Sequence, residues 1–209
     1  MEINPAAYNY GRGVINTLKK NWKMLFSLIF FAVGLILGAI IIKNNNSFVI
    51  DTFMDMFKTY ISVKKEQSIG LNFINSLTVN LAFILFSFIL GLCAVGLPLI
   101  SVLPLIKGIG IGMLSGFLYS NFALSGLGYC VLIIYPGLIP ATFALMLSCS
   151  TGISSSYNML FSLSSSKSSK GELSLKFYCL KFLVIALITV FSSAIDAIVV
   201  RLFSSFFNF

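Results

Sequence analysis

The chain is 209 residues long; 58% of its residues are hydrophobic, only 10% are charged, and its net charge is +8. Soluble domains carry about 25% charged residues, whereas residues 67–166 of this chain contain a single charge, Lys107. A segment this apolar cannot form the wetted surface of a soluble fold, and a lipid bilayer removes the need for one. We therefore predict an all-α fold, a polytopic membrane helix bundle of about five transmembrane helices, with residues 1–209 forming one membrane domain.

The residues that hydrolytic and redox enzymes normally use are scarce in this sequence. It contains no histidine, and its four cysteines stand far apart without a CxxC pair: Cys93, Cys130, Cys149 and Cys179. The usual general base and the usual metal-ligand clusters are thereby missing. The sequence also contains no P-loop motif. We predict no enzyme activity and no catalytic, cofactor-binding or metal site. We also expect no nucleic-acid partner, because the basic residues form no compact basic domain.

The first predicted span, residues 24–42, is long enough to cross about 30 Å of hydrocarbon. It follows a polar N-terminus and exceeds the apolar core of a typical signal peptide, so we expect a retained helix. Within it, Gly34 and Gly38 form a GxxxG motif, at which another helix can approach closely. A chance occurrence in a glycine-rich apolar run is the alternative interpretation.

The longest charged stretch between spans covers residues 43–73, and the pattern of residues 48–62 within it predicts a largely apolar helix with a narrow polar stripe. We expect this outer amphipathic segment to lie in the headgroup region or against the bundle, with partner binding as the alternative. The second span, residues 77–95, carries small and polar residues on one helical face: Asn80, Ser87, Gly91 and Ala94. That face is predicted to be turned toward other helices.

The third span is predicted over residues 104–120, because Pro98 and Pro104 disfavour one uninterrupted helix from the second span onward. With Pro104 as the first helical residue, Lys107 lies in the opening turn, near a membrane face that its ammonium group can reach. A re-entrant or broken segment over residues 96–105 is the alternative, and it would give six membrane passes.

A glycine stripe follows Lys107: Gly108, Gly112 and Gly116 recur every four residues and precede Ser120. Glycine costs about 1 kcal/mol relative to alanine in an exposed helix. Three glycines on one face therefore predict contact between this helix backbone and a neighbouring helix, with a pore lining as the alternative.

Prolines also mark the fourth span, residues 129–149, where Pro136 and Pro140 predict a kink or a pair of half-helices. It follows a short turn over residues 121–128. Residues 150–176 are polar, rich in serine and basic, and we expect a cytoplasmic loop that includes a short surface helix. The fifth span, residues 182–203, contains Asp196, with Arg201 near its end.

Asp196 is the only acidic residue within a predicted span, and a carboxylate at membrane depth costs about 3 kcal/mol on insertion scales. We therefore expect it to face the bundle beside a partner. Arg201 reaches back only awkwardly from five positions on, and Lys107 is a candidate partner if the third and fifth helices pack together. We interpret Asp196 as structural, and ion-coupled transport is the alternative.

The distribution of basic residues predicts the orientation of the chain in a bacterial cytoplasmic membrane. With the N-terminus in the cytoplasm, the inner face holds nine basic residues: Arg12, Lys19, Lys20, Lys23, Lys107, Lys167, Lys170, Lys176 and Lys181. The outer face then holds five: Lys43, Lys58, Lys64, Lys65 and Arg201. Because cytoplasmic loops are enriched in lysine and arginine, we predict a cytoplasmic N-terminus and an extracytoplasmic C-terminus.

The proline, lysine and glycine residues around the third span form a pattern. It consists of the run Gly96-Leu97-Pro98, the pair Lys107-Gly108, and the glycines Gly112 and Gly116. This pattern, the chain length and the layout of five spans resemble the stage II sporulation protein M family. The resemblance implies a noncatalytic membrane component of the engulfment machinery of endospore-forming bacteria. It also implies two extracytoplasmic partners, a peptidoglycan hydrolase and a lytic transglycosylase.

Two functions stay open from the sequence. The first is a membrane scaffold that recruits wall-remodelling enzymes during engulfment of the forespore. The second is a component of a transporter or of an export or immunity system, working with a separate ATPase, since relatives resemble such components for circular bacteriocins. A scaffold is expected to have few intramembrane polar groups, all packed, whereas a transporter is expected to have a water-accessible cavity around Lys107, Asp196 and the fourth span. The expected partners are the lipid bilayer and these proteins. The sequence leaves open whether the chain also forms an oligomer.

Overall fold

The computed structural model describes residues 22–44, 67–93, 96–164 and 171–203, together with Asp55, Thr59 and Val63. The elements in chain order are α1 (Trp22–Asn44), α2 (Ile69–Leu92), α3 (Gly96–Tyr129), a π-helical turn (Cys130–Ile134), α4 (Tyr135–Ser164) and α5 (Gly171–Phe203). No strand occurs among the residues in these ranges. The predicted all-α class is therefore confirmed.

Four helical stretches of the described chain are long and apolar enough to cross a bilayer: Trp22–Asn44, Ile69–Leu92, Gly96–Tyr157 and Leu175–Phe203. The third contains 62 residues, and a straight helix of that length would measure about 93 Å, three times the hydrocarbon thickness. Ala123 interrupts it with φ 44° and ψ −121°. Because the chain can cross the bilayer on each side of this break, the fold agrees with a polytopic bundle of about five spans.

The break at Ala123 lies within residues 121–128, for which the sequence predicts a turn. Gly126 is packed so closely against the carbonyl group of Leu118 that a side chain at position 126 would collide with it. The side-chain amide of Asn121 donates a hydrogen bond of 3.0 Å to the carbonyl oxygen of Phe117. A polar side chain thus satisfies a carbonyl group close to the place where the regular helix ends.

The third helix begins at Gly96, which corrects the predicted start at Pro104 and replaces the re-entrant alternative for residues 96–105 with regular helix. The backbone amide of Cys93 donates to Leu90, and that of Gly96 donates to the carbonyl of Cys93, each at 3.1 Å. This tight connection brings Gly96 against the Leu90 carbonyl, where no side chain fits. Pro98 is tolerated because it lies in the first turn, where a backbone amide has no helical acceptor, whereas Pro104 lies inside the helix.

The polar segment predicted as a loop is also largely helical. Helix α4 continues to Ser164 and α5 begins at Gly171, while residues 165–170 lie outside the described part. The hydroxyl groups of Thr151 and Ser154 donate to the carbonyl oxygens four residues earlier, at 3.0 and 2.8 Å. Hydroxyl groups that bond to their own helix leave few polar groups exposed, so a serine-rich helix is compatible with the membrane interface.

Most of the predicted amphipathic segment, residues 48–62, lies outside the described residues. Two of its members, Asp55 and Thr59, are helical. The Thr59 hydroxyl donates a hydrogen bond of 2.8 Å to the Asp55 carbonyl oxygen, as helical spacing allows.

Helix α4 is the central helix of the bundle and packs against α1, α2, α3 and α5. The most extensive helix pair is α1 with α3, followed by α4 with α5. One buried cluster, around Phe117, Leu118 and Val200, lies where α1 and α5 end. Toward the opposite end, α2, α4 and α5 enclose a second cluster around Ile84 and Tyr178.

Candidate functional site: glycine contacts and polar groups within the membrane

The two glycine motifs predicted to contact other helices face each other across the α1–α3 interface. A Cβ atom at Gly34 would lie 3.1 Å from the Cα of Gly108, and one at Gly38 would lie 3.0 Å from the carbonyl carbon of Gly112. The residue numbers of the contacting pairs increase together, from Gly34 with Gly108 to Gly38 with Gly112, so α1 and α3 run parallel. Gly116 continues the same face against Ala39, with 3.3 Å between its ideal Cβ and the Ala39 Cα. Only glycine allows the two backbones to approach this closely.

Lys107 and Asn80, both predicted as intramembrane polar residues, bond to each other. The Lys107 Nζ donates to the Asn80 Oδ1 at 3.0 Å, and it also lies 5.7 Å from the centre of the Phe83 ring. The ammonium group therefore has an amide oxygen and an aromatic face as its partners, which is the kind of contact that stabilises a cation away from water.

The start of α3 at Gly96 changes the depth of Lys107 in the membrane. Lys107 comes 11 residues after Gly96, about 16 Å along the helix, which is half of the hydrocarbon thickness. Asn80 likewise lies at the middle of α2, which spans Ile69–Leu92. The predicted position of Lys107 in the opening turn of its helix is thus wrong. Without Lys107, eight basic residues remain on the predicted inner face and five on the predicted outer face. The predicted orientation therefore does not change.

Asp196 lies at a different contact, between α5 and α4. An ideal Cβ at Gly137 would be 2.6 Å from the Asp196 Cβ and 3.1 Å from its Oδ1. One turn earlier, the buried Ser192 hydroxyl donates to the Gly137 carbonyl oxygen at 2.6 Å. Gly137 follows Pro136 in the proline-containing turn of α4. Because Gly137 has no side chain, the side chain of Asp196 fits against it.

The predicted candidate for pairing with Asp196 was Lys107, and the structure places the two residues at separate contacts. Lys107 bonds to α2, and α3 does not pack extensively against α5. The condition under which the pair was expected, close packing of the third and fifth helices, is therefore not met among the described residues.

Two contacts at the end of the bundle where α1 begins were not predicted from the sequence. The Lys23 Nζ donates to the Ser154 hydroxyl at 2.9 Å and lies 5.8 Å from the centre of the Tyr157 ring. Next to it is a crevice of about 420 Å³ whose lining includes Trp22, Phe26, Leu97 and Pro98. Lys23 and Ser154 are separated by 131 positions in the chain, and no local spacing pattern could have joined them.

A cluster between α2 and α5 was also missed. The Tyr178 hydroxyl donates to the Phe88 carbonyl oxygen at 2.9 Å, and the two rings stack with centroids 5.2 Å apart. On the neighbouring helix α4, the Ser156 hydroxyl donates to the Cys93 carbonyl oxygen at 2.7 Å, close to the end of α2. Each of these hydroxyl groups is thus satisfied by a backbone carbonyl of α2 or of the residue that follows it, and the two bonds join α4 and α5 to the end of α2.

Metal and disulfide chemistry has no visible basis in the described part of the chain. No three of its histidine, cysteine, aspartate or glutamate residues lie close enough together to hold a metal ion. All four cysteines fall within the described ranges and are unbridged, with Cys130 and Cys149 buried. What the arrangement provides is a set of contacts that join helices.

These features define a multi-pass α-helical membrane protein. The family model described as Stage II sporulation protein M matches residues 27–201, which is most of the chain. The chain therefore belongs to that family, in agreement with the resemblance seen in the sequence. No curated protein and no solved structure matches the chain.

Proposed function

We propose that this protein is a noncatalytic scaffold of the cytoplasmic membrane that holds wall-remodelling enzymes during engulfment of the forespore. Membership of the stage II sporulation protein M family supports this role at the level of the family. The partners that the proposal requires are extracytoplasmic: a peptidoglycan hydrolase and a lytic transglycosylase. In this arrangement the N-terminus is cytoplasmic and the C-terminus is extracytoplasmic.

The observation that carries the proposal is how the polar groups inside the spans are used. Lys107 bonds to Asn80, and the hydroxyl groups of Tyr178 and Ser192 bond to backbone carbonyls of neighbouring helices. Groups engaged between helices stabilise one arrangement of the bundle. The crevice of about 420 Å³ is lined by residues near the start of α1, and neither Lys107 nor Asp196 contributes to its lining. A fixed bundle suits a scaffold better than an alternating-access transporter.

A membrane component of an export or immunity system is the second candidate, because the fourth span is irregular. The π-helical turn Cys130–Ile134 precedes α4, and Pro140 lies inside that helix. Single π-helical turns and broken helices occur frequently at functional sites of membrane proteins. This candidate requires a separate ATPase, because the chain contains no P-loop motif.

The test is affinity purification of the tagged full-length chain from sporulating cells in a mild detergent, followed by mass spectrometry. A scaffold is expected to retain a peptidoglycan hydrolase and a lytic transglycosylase above the level found with an unrelated polytopic protein carrying the same tag. Deletion of the chain is expected to stop engulfment, and the wild-type chain is expected to restore it. Recovery of an ATPase without either wall enzyme would favour the export function and refute the scaffold.

A further inference from the structure

The crevice of about 420 Å³ lies at the end of the bundle where α1 and α3 begin. Most of its lining is apolar and comes from three helices: Trp22 and Phe26 of α1, Leu97 and Pro98 of the first turn of α3, and Ile153 of α4. Small-molecule sites have volumes of about 300–1,000 Å³. The crevice is therefore large enough to hold part of a lipid molecule.

Lys23 brings a positive charge to this apolar crevice. Its side chain is half-buried and forms part of the lining. The Nζ donates to the Ser154 hydroxyl at 2.9 Å and lies 5.8 Å from the centre of the Tyr157 ring. A hydroxyl group and an aromatic ring carry no formal charge, and an ammonium group has three N–H donors. Within the described part of the chain, Lys23 therefore has donors left for an anionic ligand.

The depth of the lining residues matches the layers of a bilayer. Lys23 immediately precedes the predicted span of residues 24–42, which is the level at which basic side chains meet lipid phosphates. Phe26 lies three residues further along α1, about 4.5 Å deeper. Trp22 is 67% exposed, and tryptophan and tyrosine are enriched at the boundary between membrane and water. The crevice thus extends from the headgroup level toward the acyl chains.

We propose that this crevice binds an anionic phospholipid, with the phosphate at the Lys23 ammonium group and the upper part of one acyl chain between α1 and α3. The phosphate oxygens accept charge-assisted hydrogen bonds from Lys23, and the first turn of α3 adds the positive end of a helix dipole. Phe26 and Leu97 contact the acyl chain. This site goes beyond the scaffold function, because it joins the protein to a lipid and requires no wall enzyme.

The combination of a charge and apolar walls favours an anionic phospholipid over other occupants. A zwitterionic phospholipid carries its own cation close to the phosphate, and that cation competes with Lys23 for the phosphate oxygens. A soluble anion would meet the charge and leave the apolar walls uncovered. An apolar helix of a partner would cover the walls and leave the ammonium group without an anion.

The experiment uses the intrinsic fluorescence of Trp22, which is the single tryptophan of the chain and lines the crevice. The full-length protein is reconstituted in phosphatidylcholine vesicles that contain increasing fractions of brominated phosphatidylglycerol or, separately, brominated phosphatidylcholine. The bromine atoms are in the upper part of one acyl chain, where they quench a tryptophan that they contact. One basic residue near an anionic membrane surface contributes about 1 kcal/mol, which predicts about fivefold tighter binding of phosphatidylglycerol than of phosphatidylcholine.

Two pairs of variants test the charge and the walls separately. Lys23→Met is expected to remove the fivefold preference for phosphatidylglycerol. Lys176→Met is its control and is expected to retain the preference, because Lys176 is exposed near the start of α5, at the same end of the bundle. Leu97→Phe fills part of the crevice and is expected to weaken quenching by phosphatidylglycerol. Leu99→Phe is expected to leave quenching unchanged, because Leu99 is 53% exposed and lies outside the lining.

Equal quenching of the wild-type protein by the two brominated lipids would overturn the proposal, since it indicates ordinary contact with the bilayer, and this comparison requires no variant to fold. Absence of quenching by either lipid would overturn it as well, because another occupant then covers the crevice. Retention of the preference by Lys23→Met would have the same consequence. Loss of the preference on addition of inorganic phosphate, but not of chloride at equal ionic strength, would assign the site to a soluble anion instead. No wall enzyme takes part in this measurement, so its outcome and that of the copurification are independent.

Discussion

A methyl group at Gly112 tests whether the α1–α3 interface depends on direct contact between the two backbones. An ideal Cβ at Gly112 would lie 2.9 Å from both the Cα and the carbonyl carbon of Leu35, and closer still to the Leu35 oxygen. Favourable carbon contacts begin at about 3.5 Å. The Gly112→Ala substitution therefore requires α1 and α3 to move apart locally by at least about 0.6 Å, which loosens the neighbouring Gly34–Gly108 and Gly38 contacts as well.

The expected loss of stability combines two opposing effects. Forcing extra carbon into a well-packed interface costs about 1–3 kcal/mol, and the higher helix propensity of alanine returns about 1 kcal/mol. The Gly110→Ala variant is the matched control, because a Cβ at Gly110 meets nothing within 4 Å, so only the propensity gain is expected there. The difference between the two alanine variants cancels propensity and leaves the packing cost, about 1–3 kcal/mol. Gly112→Leu is expected to lower the yield of folded protein.

The measurement is reversible unfolding of each purified variant in mixed micelles with increasing sodium dodecyl sulfate, followed by circular dichroism. The free energy of unfolding is expected to be highest for Gly110→Ala, lower for the wild type and lowest for Gly112→Ala. Equal free energies of unfolding for the two alanine variants would refute the contact between the backbones. A wild-type yield of Gly112→Leu would refute it as well.

Three further predictions concern the topology, the side chain of Asp196 and the helix break at Ala123. On a cysteine-free background, a cysteine at Asn45 is expected to label in intact cells, and one at Ser165 only after permeabilisation, because the proposed topology places the two positions on opposite sides of the membrane. Asp196→Asn is expected to retain stability within about 1 kcal/mol, because shape and hydrogen bonding are preserved. Asp196→Leu is expected to lose about 1–3 kcal/mol by overpacking against Gly137, as thermal unfolding in detergent can measure. Ala123→Gly is expected to stabilise the protein by about 1 kcal/mol, because a positive φ is strained for residues with a side chain, and Ala123→Val is expected to destabilise it in the same assay.

Each of these expectations has a result that would contradict it. The reverse labelling pattern would invert the orientation, and labelling of both cysteines in intact cells would contradict the number of spans. An Asp196→Asn variant that folds normally yet loses a function driven by an ion gradient would replace the scaffold with a transporter. A loss of stability in Ala123→Gly would show that the backbone at this position is not strained.

Several features could be predicted from the sequence because their causes are local. An apolar run of about 20 residues crosses a bilayer whatever surrounds it, since the helix satisfies its own backbone hydrogen bonds. The glycine stripes could be recognised for a similar reason, because the spacing of Gly108 and Gly112 defines one face of a helix before any partner is known. The family pattern around the third span is equally a property of the residues in order.

The errors arose where the effect of a residue depended on its surroundings. Pro104 suggested the start of a helix, yet α3 begins at Gly96 because Gly96 fits against the Leu90 carbonyl. That difference of eight residues moves Lys107 from the opening turn of the helix to its fourth turn. The serine-rich segment suggested a loop, but hydroxyl groups in it bond within α4, as Ser154 does with Ser150, or to the end of α2, as Ser156 does with Cys93.

The sequence by itself determined the class of this protein, the approximate positions of its spans and the helix faces on which small residues lie. These follow from hydrophobicity and helical periodicity, which act within about 20 residues of chain. Only the tertiary structure decided which faces meet: Gly34 with Gly108, Lys107 with Asn80, and Asp196 with Gly137. Such pairs join residues far apart in the chain, and they are selected by the packing of whole helices, in which shape complementarity between distant segments determines the arrangement.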